Sequence, residues 1–210
     1  MQRRNVVLGL SAAPWLARPA WAAVEAVEGR NFTALSPPQP VAVAGKIEVI
    51  EFFGYWCPHC RALEPVLEEW LRKPAADLNF RRVPVAWQAA QEPYQRLFFA
   101  LESLGAAPGI HQKVFQAVQM QGMRLELPAA QAAFASSNGI DPKKLTDAMS
   151  GFAVASKARV ATQVAQAYRI DGVPALAVHG RYLTSPEKAG GDEAALQVVD
   201  ALIRKAKSGR

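Results

Sequence analysis

Ile47-Glu48-Val49-Ile50-Glu51-Phe52-Phe53-Gly54-Tyr55-Trp56-Cys57-Pro58-His59-Cys60 holds the only two cysteines of a 210-residue chain. The run from Ile47 to Phe53 is β-branched and aromatic, which reads as a buried strand. Gly54-Tyr55-Trp56 then turns the chain. Beyond the cysteines, Leu63, Val66, Leu67, Trp70 and Leu71 recur at helical spacing and form one apolar face. A strand, a tight turn and a cysteine pair at a helix start give a C-x-x-C a redox meaning. The first turn of a helix has unpaired N–H groups and the positive end of the macrodipole, and both favour an anion there. Cys57 falls at that end, so its thiol should ionise more readily than a free one. Pro58 suits the first helical position, where its missing N–H costs no hydrogen bond. His59 lies between the sulfurs and adds a positive charge or a donor near Cys57. Cys60, three residues on, falls on the same side of the helix but deeper. A stabilised thiolate is a good leaving group, so the disulfide form should be a strong oxidant.

Two other uses of the pair compete with this reading. A C-x-x-C can be half of a zinc site, but zinc wants about four ligands. The remaining candidates are His59, His111 and His179. A purely structural disulfide is the other. Linking residues three apart constrains little unfolded-chain entropy, so such a bridge stabilises weakly.

Outward from the centre, the chain is ordinary in composition: half its residues are hydrophobic, a fifth are charged, and the formal net charge is +6. That charge is too mild to argue for nucleic acid, and no basic run with interleaved aromatics occurs. Residues 1–22 read as a secretory signal. Arg3 and Arg4 supply the charged region, Val6 to Leu16 the apolar one, and Ala20-Trp21-Ala22 a cleavage site before Ala23. The apolar run is short for a bilayer span and is interrupted by Pro14 and Arg18. Arg3-Arg4 leaves the general and twin-arginine export routes both open. Export and cysteine use agree, since an oxidising compartment keeps such a pair useful.

Asn31 to Leu35 offers a short first strand, and Ser36-Pro37-Pro38-Gln39-Pro40 a turn or linker. Glu51 is a carboxylate inside an apolar strand; buried, its pKa should rise through desolvation unless it is paired. The alternative is an outward-facing residue. The active-site helix should run to about Lys73 before Pro74 stops it, kinked at Pro65. Glu64 reads as an exposed helix glutamate, or as one reaching back to the charged cluster. Asn79 to Trp87 reads as a strand with Val83, Val85 and Trp87 on one face, although Pro84 leaves its pairing in question. Residues 91–161 switch to helices. Tyr94, Leu97, Phe98, Leu101 and Leu104 form one face, ended by Gly105, and Ile110, Val114, Ala117, Val118 and Gln121 another. Pro128 to Ser137 makes a third helix, Asp141-Pro142 caps a fourth, and Ala153 to Tyr168 makes a fifth. His111 reads as a surface or capping histidine, and Met120 and Met123 as packing rather than ligands. Ala175 to Val178 begins a hairpin turned at His179-Gly180. Asp192 then caps a last helix.

Glu51-Phe52-Phe53, the Cys-Pro-His-Cys centre, Glu64 and Gly172-Val173-Pro174-Ala175 together resemble the DsbA family of periplasmic thiol:disulfide oxidoreductases. The likeness runs over nearly all the mature chain. It implies an α/β, thioredoxin-like fold with a helical domain inserted into it. Residues 23–90 and 162–210 would form the thioredoxin-like part and 91–161 the insert. It implies that Cys57 exchanges disulfides, that Glu51 trades a proton with Cys60, and that Arg82, where relatives often carry lysine, meets Glu51. Sequence alone favours a trans bond before Pro174. The resemblance reverses this, placing a cis-proline opposite the cysteines, with the Val173 backbone offered to an extended client. It implies no dissociable cofactor, clients among exported proteins with free cysteines, and reoxidation by a DsbB-like inner-membrane quinone reductase. A monomer in the periplasm of a Gram-negative bacterium is expected. A disulfide isomerase or reductase on the same fold is the nearest rival, although the stretch after Ala23 is short for the dimerisation segment such isomerases carry. A thiol- or metal-holding chaperone without turnover is the other rival. Tyr55 and Trp56 beside the site suit an apolar contact patch or core packing. Gly54-Tyr55-Trp56 and Arg61 depart from the commonest family choices, and Arg61 places a cation next to Cys60.

Overall fold

In a computed structural model the described residues are 24–72 and 76–209. The signal expected over 1–22, with cleavage near Ala22, and the stop at Pro74 lie outside them. The elements run β1 (Thr33–Ala34), β2 (Ile47–Phe53), α1 (Pro58–Leu71), β3 (Leu78–Pro84), α2 (Glu92–Ser103), α3 (Ala107–Gln119), α4 (Pro128–Ser137), α5 (Pro142–Ser150), α6 (Phe152–Ala167), β4 (Ala175–Val178), β5 (Tyr182–Thr184), α7 (Pro186–Ala189) and α8 (Asp192–Ser208). The sheet order is β1-β5-β4-β2-β3. β2 pairs parallel with β3 and antiparallel with β4, and the hairpin β4–β5 carries β1 at its far edge. This is a thioredoxin-like sheet, with α2 to α6 inserted between β3 and β4.

β2 is buried at all seven positions, which explains why it reads as a continuous apolar run rather than an alternating one. Ile47 and Val49 join a core with Leu63 and Leu67 of α1 and Leu196, Val199 and Leu202 of α8. Ile50 and Phe52 join the larger core, which takes in the inward faces of the inserted helices. Full burial of each such side chain is worth about 1.5–3 kcal/mol. Glu48, also buried, is matched by Arg81 at 3.1 Å and by the Ala42 N–H at 3.0 Å.

Pro65 sits inside α1 on its exposed face, so the Arg61 carbonyl that it cannot bond is left towards solvent. Trp70 Nε1 donates to Asp200 Oδ1 at 2.9 Å and ties α1 to α8. The question raised by Pro84 resolves through position. β3 is an edge strand and Pro84 is its last residue, where a missing donor costs no ladder bond. Val83 and Val85 are buried as expected. Trp87 leaves that face, is 46% exposed, and packs against Trp56 in a tilted pair with ring centroids 5.5 Å apart. Asp141 caps α5 through the N–H groups of Lys143 and Lys144. At α8 the cap is Gly191, and Asp192 is instead the first helical residue, its charge beside the helix N-terminus. The short α7 follows a Ser185 cap with Pro186 and Glu187 in its first turn, a start signal present in the sequence but unread there. Gly180, at φ 66° in the β4–β5 turn, must be glycine twice over: a Cβ there would also strike the Gln39 carbonyl.

Candidate active site

The turn Gly54-Tyr55-Trp56 brings the chain from β2 into α1 with Cys57 as the helix cap, at φ −89° and ψ 116°. Trp56 lies so close over Gly54 that any side chain there would meet the indole. Pro58 is the first helical residue, and His59 is exposed. Both cysteines are free thiols and buried, Cys57 at 4% exposure and Cys60 at 0%. The Cys60 N–H points at Cys57 Sγ, 3.4 Å away. The Cys57 thiol donates to the Val173 carbonyl at 3.1 Å. The Val173–Pro174 peptide is cis, as is Ser36–Pro37.

This surrounding separates the two sulfurs. A hydrogen bond from the Cys60 thiol, with help from the backbone N–H groups of Cys60 and His59, brings the Cys57 thiol down to about 6 against the desolvation it suffers. Burial, and then the neighbouring Cys57, push the Cys60 thiol far up. Alkylation of the reduced chain with iodoacetamide between pH 4 and 9 should therefore modify Cys57 alone, with an inflection near pH 6. Equal labelling of the two cysteines, or an inflection above pH 8, would contradict this geometry.

Beneath the cysteines lies a buried polar chain. Arg82 Nε donates to Glu51 Oε2 and Arg82 Nη2 to Glu64 Oε2, each at 2.9 Å. His111 Nε2 meets Glu64 Oε1 at 3.0 Å, and the Tyr55 hydroxyl meets His111 Nδ1 at 2.8 Å. Glu51 is inward, and the expected meeting with Arg82 is present. Two readings are corrected here. Glu64 is not an exposed helix glutamate but 1% exposed, and His111 is not a surface residue but 3% exposed, ringed by Phe53, Phe98 and Phe115. The signals were in the spacing. Glu64 follows Cys60 by four residues, and His111 precedes Phe115 by four, so each shares a helical face with a buried residue. Of the flanking aromatics, Tyr55 is core and Trp56 half-buried beside the partly exposed Trp87.

Desolvation, then the Glu64 charge, push the Glu51 carboxyl up to about 8 despite Arg82. A carboxyl raised in the folded state supports folding fully below its unfolded value of about 4.5 and loses that support as pH rises towards 8. Glu51→Gln is therefore expected to stabilise the chain by about 4 kcal/mol at pH 7.5 and by almost nothing at pH 4. Urea unfolding at both pH values checks it; a gain independent of pH would refute the cause.

Gln119, at the end of α3, was not singled out in the sequence. Its amide donates to the Tyr55 carbonyl at 2.8 Å and the Cys57 carbonyl at 2.9 Å, while Arg61 Nε donates to its oxygen at 3.0 Å. Arg61 thus braces the turn against the inserted helices. Beside His59 and the Val173–Pro174 peptide a groove of about 770 Å³ opens, lined also by Leu35 and Tyr168. Among the described residues, no three His, Cys, Asp or Glu side chains gather to hold a metal ion.

A family model described as DSBA-like thioredoxin domain matches residues 73–199, and one described as Thioredoxin matches residues 32–94. The chain is 42% identical over 182 residues to the thiol:disulfide interchange protein DsbA of Bordetella pertussis, covering 86% of this chain and 87% of that one. It is 36% identical over 180 residues to DsbA of Pseudomonas aeruginosa, covering 86% and 85%. The crystal structure of Pseudomonas aeruginosa DsbA is similar with a TM-score of 0.83 at 36% identity, over 86% of this chain and 94% of that one. The oxidoreductase DsbA from Xylella fastidiosa is similar with a TM-score of 0.80 at 29% identity, over 87% and 98%.

Proposed function

Because the chain belongs to the DsbA family of thiol:disulfide oxidoreductases, we propose that it donates its Cys57–Cys60 disulfide to newly exported proteins. A client thiolate attacks Cys57 Sγ, the Cys57–Cys60 bond breaks, and Cys60 leaves as a thiolate. Glu51, a neutral acid near pH 7, gives Cys60 its proton. A second client thiolate attacks the client sulfur of the mixed disulfide, and Cys57 leaves as its stabilised thiolate. Two electrons pass from client to chain; the client gains a disulfide and the chain becomes a dithiol. One observation carries this direction of transfer: Cys57 caps α1 with N–H donors aimed at its sulfur, while Cys60 is closed off behind it. A sulfur that prefers to be an anion favours the reduced pair, so the disulfide is readily given away.

Pro58 fixes the helix start under Cys57, and His59 stands exposed at the groove mouth. Val173 and Pro174 present backbone to an extended client, a mode that tolerates many sequences. Glu64 and Arg82 support Glu51. Reoxidation falls to a DsbB-like inner-membrane quinone reductase using the same groove, with the redox disulfide serving in place of any dissociable cofactor. The protein works as a periplasmic monomer after removal of residues 1–22, with 91–161 as a helical insert in a thioredoxin-like domain of residues 23–90 and 162–210.

The test is single turnover: the oxidised chain is mixed with a reduced two-cysteine peptide, and then equilibrated with glutathione buffers. Stoichiometric peptide oxidation and a strongly oxidising couple are expected. A reducing couple would assign the chain to the reductase or isomerase side instead, and stoichiometric metal retention without turnover to a chaperone.

A further inference from the structure

His111 lies on α3, outside the turn and helix that carry the cysteines, and the exchange cycle makes no use of it. Its two ring nitrogens are nevertheless both engaged in the buried chain, with Tyr55 at Nδ1 and Glu64 at Nε2. A tyrosine hydroxyl beside one nitrogen and a carboxylate beside the other suit a single neutral tautomer: the hydroxyl donates to Nδ1, and Nε2–H donates to Glu64. Burial holds the ring below its usual range, in keeping with a neutral imidazole.

Two carboxyls here face one guanidinium, so a neutral cluster has one proton to place between them. Their N–H donors are unequal. Among the described residues, Glu64 receives Arg82 Nη2 and His111 Nε2, one on each oxygen, while Glu51 receives Arg82 Nε alone. A carboxyl with more N–H donors holds its charge more easily, and the other keeps the proton. The remaining ionisable groups do not reverse this ordering. Cys60 and Glu68 on α1 add negative charge or none, Tyr55 stays neutral through burial, and the faces of β2, α2 and α3 around the ring are phenyl groups.

We propose that His111 is a positioning residue that decides which buried carboxyl holds the shared proton: by donating Nε2–H to Glu64 it keeps Glu64 ionised and leaves the proton on Glu51. The directions of the two carboxyl shifts agree, Glu51 raised and Glu64 lowered. The assignment rests on the reading that Glu51 exchanges a proton with Cys60 only for its consequence, not for the proton's location.

The experiment is a carbon-13 titration of the glutamate carboxyls between pH 4 and 9, assigned with Glu51→Gln and Glu64→Gln, in the reduced full chain and in His111→Phe. The parent should show Glu64 ionised throughout the neutral range and Glu51 titrating near 8. In His111→Phe the Glu51 inflection should fall and the Glu64 inflection rise, each by at least about one unit, the worth of one charge-assisted hydrogen bond. An unmoved Glu51 inflection overturns the proposal. Nitrogen-15 spectra of the parent give a second check that needs no variant: His111 must carry its proton on Nε2, and an Nδ1–H tautomer overturns the proposal even if His111→Phe does not fold. A separate rate measurement, the first-order closure of a Cys57–glutathione mixed disulfide by Cys60, tests the consequence. Its pH profile should move with the Glu51 inflection. A profile that stays put while the carboxyls shift would refute the Glu51 role in exchange and leave the placement of the proton standing.

Discussion

Arg82→Met should lower the stability of the reduced chain by about 3–5 kcal/mol at pH 7.5, the range for removing one partner of a buried ion pair. Among the described residues Arg82 is the single guanidinium bonded to both Glu51 and Glu64, at 2.9 Å each, and these side chains are 0% and 2% exposed. Its guanidinium also lies 5.3 Å over the Phe80 ring, a contact that methionine replaces with apolar packing. The loss should be strongly pH-dependent, and the sign follows from the carboxyls. With Arg82 present, Glu64 is held below its usual range. It therefore adds stability above about pH 4.5 that fades only as pH falls lower. Without Arg82 burial dominates at both sites, so both carboxyls rise and both lose stability as pH climbs past 4.5. The deficit should be small near pH 4.5 and large at 7.5. Urea unfolding of both proteins at the two pH values measures it, and a deficit below about 1 kcal/mol at pH 7.5 would mean that the cluster holds its charge by other means.

How much of this was legible in the sequence divides by range. The strand Ile47–Phe53, the cap at Cys57 and the first-turn proline are local decisions. β-branched and aromatic residues make the strand, a side chain that can accept N–H bonds makes the cap, and Pro58 fits only a helix start. Each was read to the residue. The five inserted helices were likewise visible through their apolar faces and their starts at Pro128 and Asp141-Pro142. What failed to show was pairing across the chain. The His111–Glu64 contact joins residues 47 apart and the Tyr55–His111 contact residues 56 apart. No local pattern encodes a partner at that separation, so polar residues on apolar faces were assigned to solvent. Gln119 escaped for the same reason: its bonds go to backbone carbonyls of residues 62 and 64 positions away. Arg82 was placed only by family likeness, since nothing within Leu78–Pro84 distinguishes it from Arg81, which serves Glu48 instead. The strand read as far as Trp87 stops at Pro84, and the first strand, read over Asn31 to Leu35, is only Thr33–Ala34.

Replacing Cys60 divides the two tasks of that residue, and the comparison of Cys60→Ala with Cys60→Ser is the sharpest test of the centre. Both variants lack the second sulfur, so neither can form the intramolecular disulfide. Turnover on a reduced peptide should drop to the uncatalysed background in both. The state of Cys57 should differ between them. The hydrogen bond from the Cys60 side chain is the largest influence lowering the Cys57 thiol to about 6, ahead of the backbone N–H groups of Cys60 and His59. Serine keeps a donor at that place and should leave the inflection within a few tenths of a unit. Alanine removes it, and the loss of one bond to a charged acceptor, about 1.5 kcal/mol, should carry the inflection up by about one unit. It should not return to the free-thiol value, because the helix N-terminus and its N–H groups remain. The ultraviolet absorbance of the thiolate, followed against pH in both variants, gives the two inflections directly. If alanine and serine titrate alike near 6, the backbone alone stabilises the anion and the Cys60 side chain matters only as the second sulfur. If either variant still turns over, the exchange does not run through this pair.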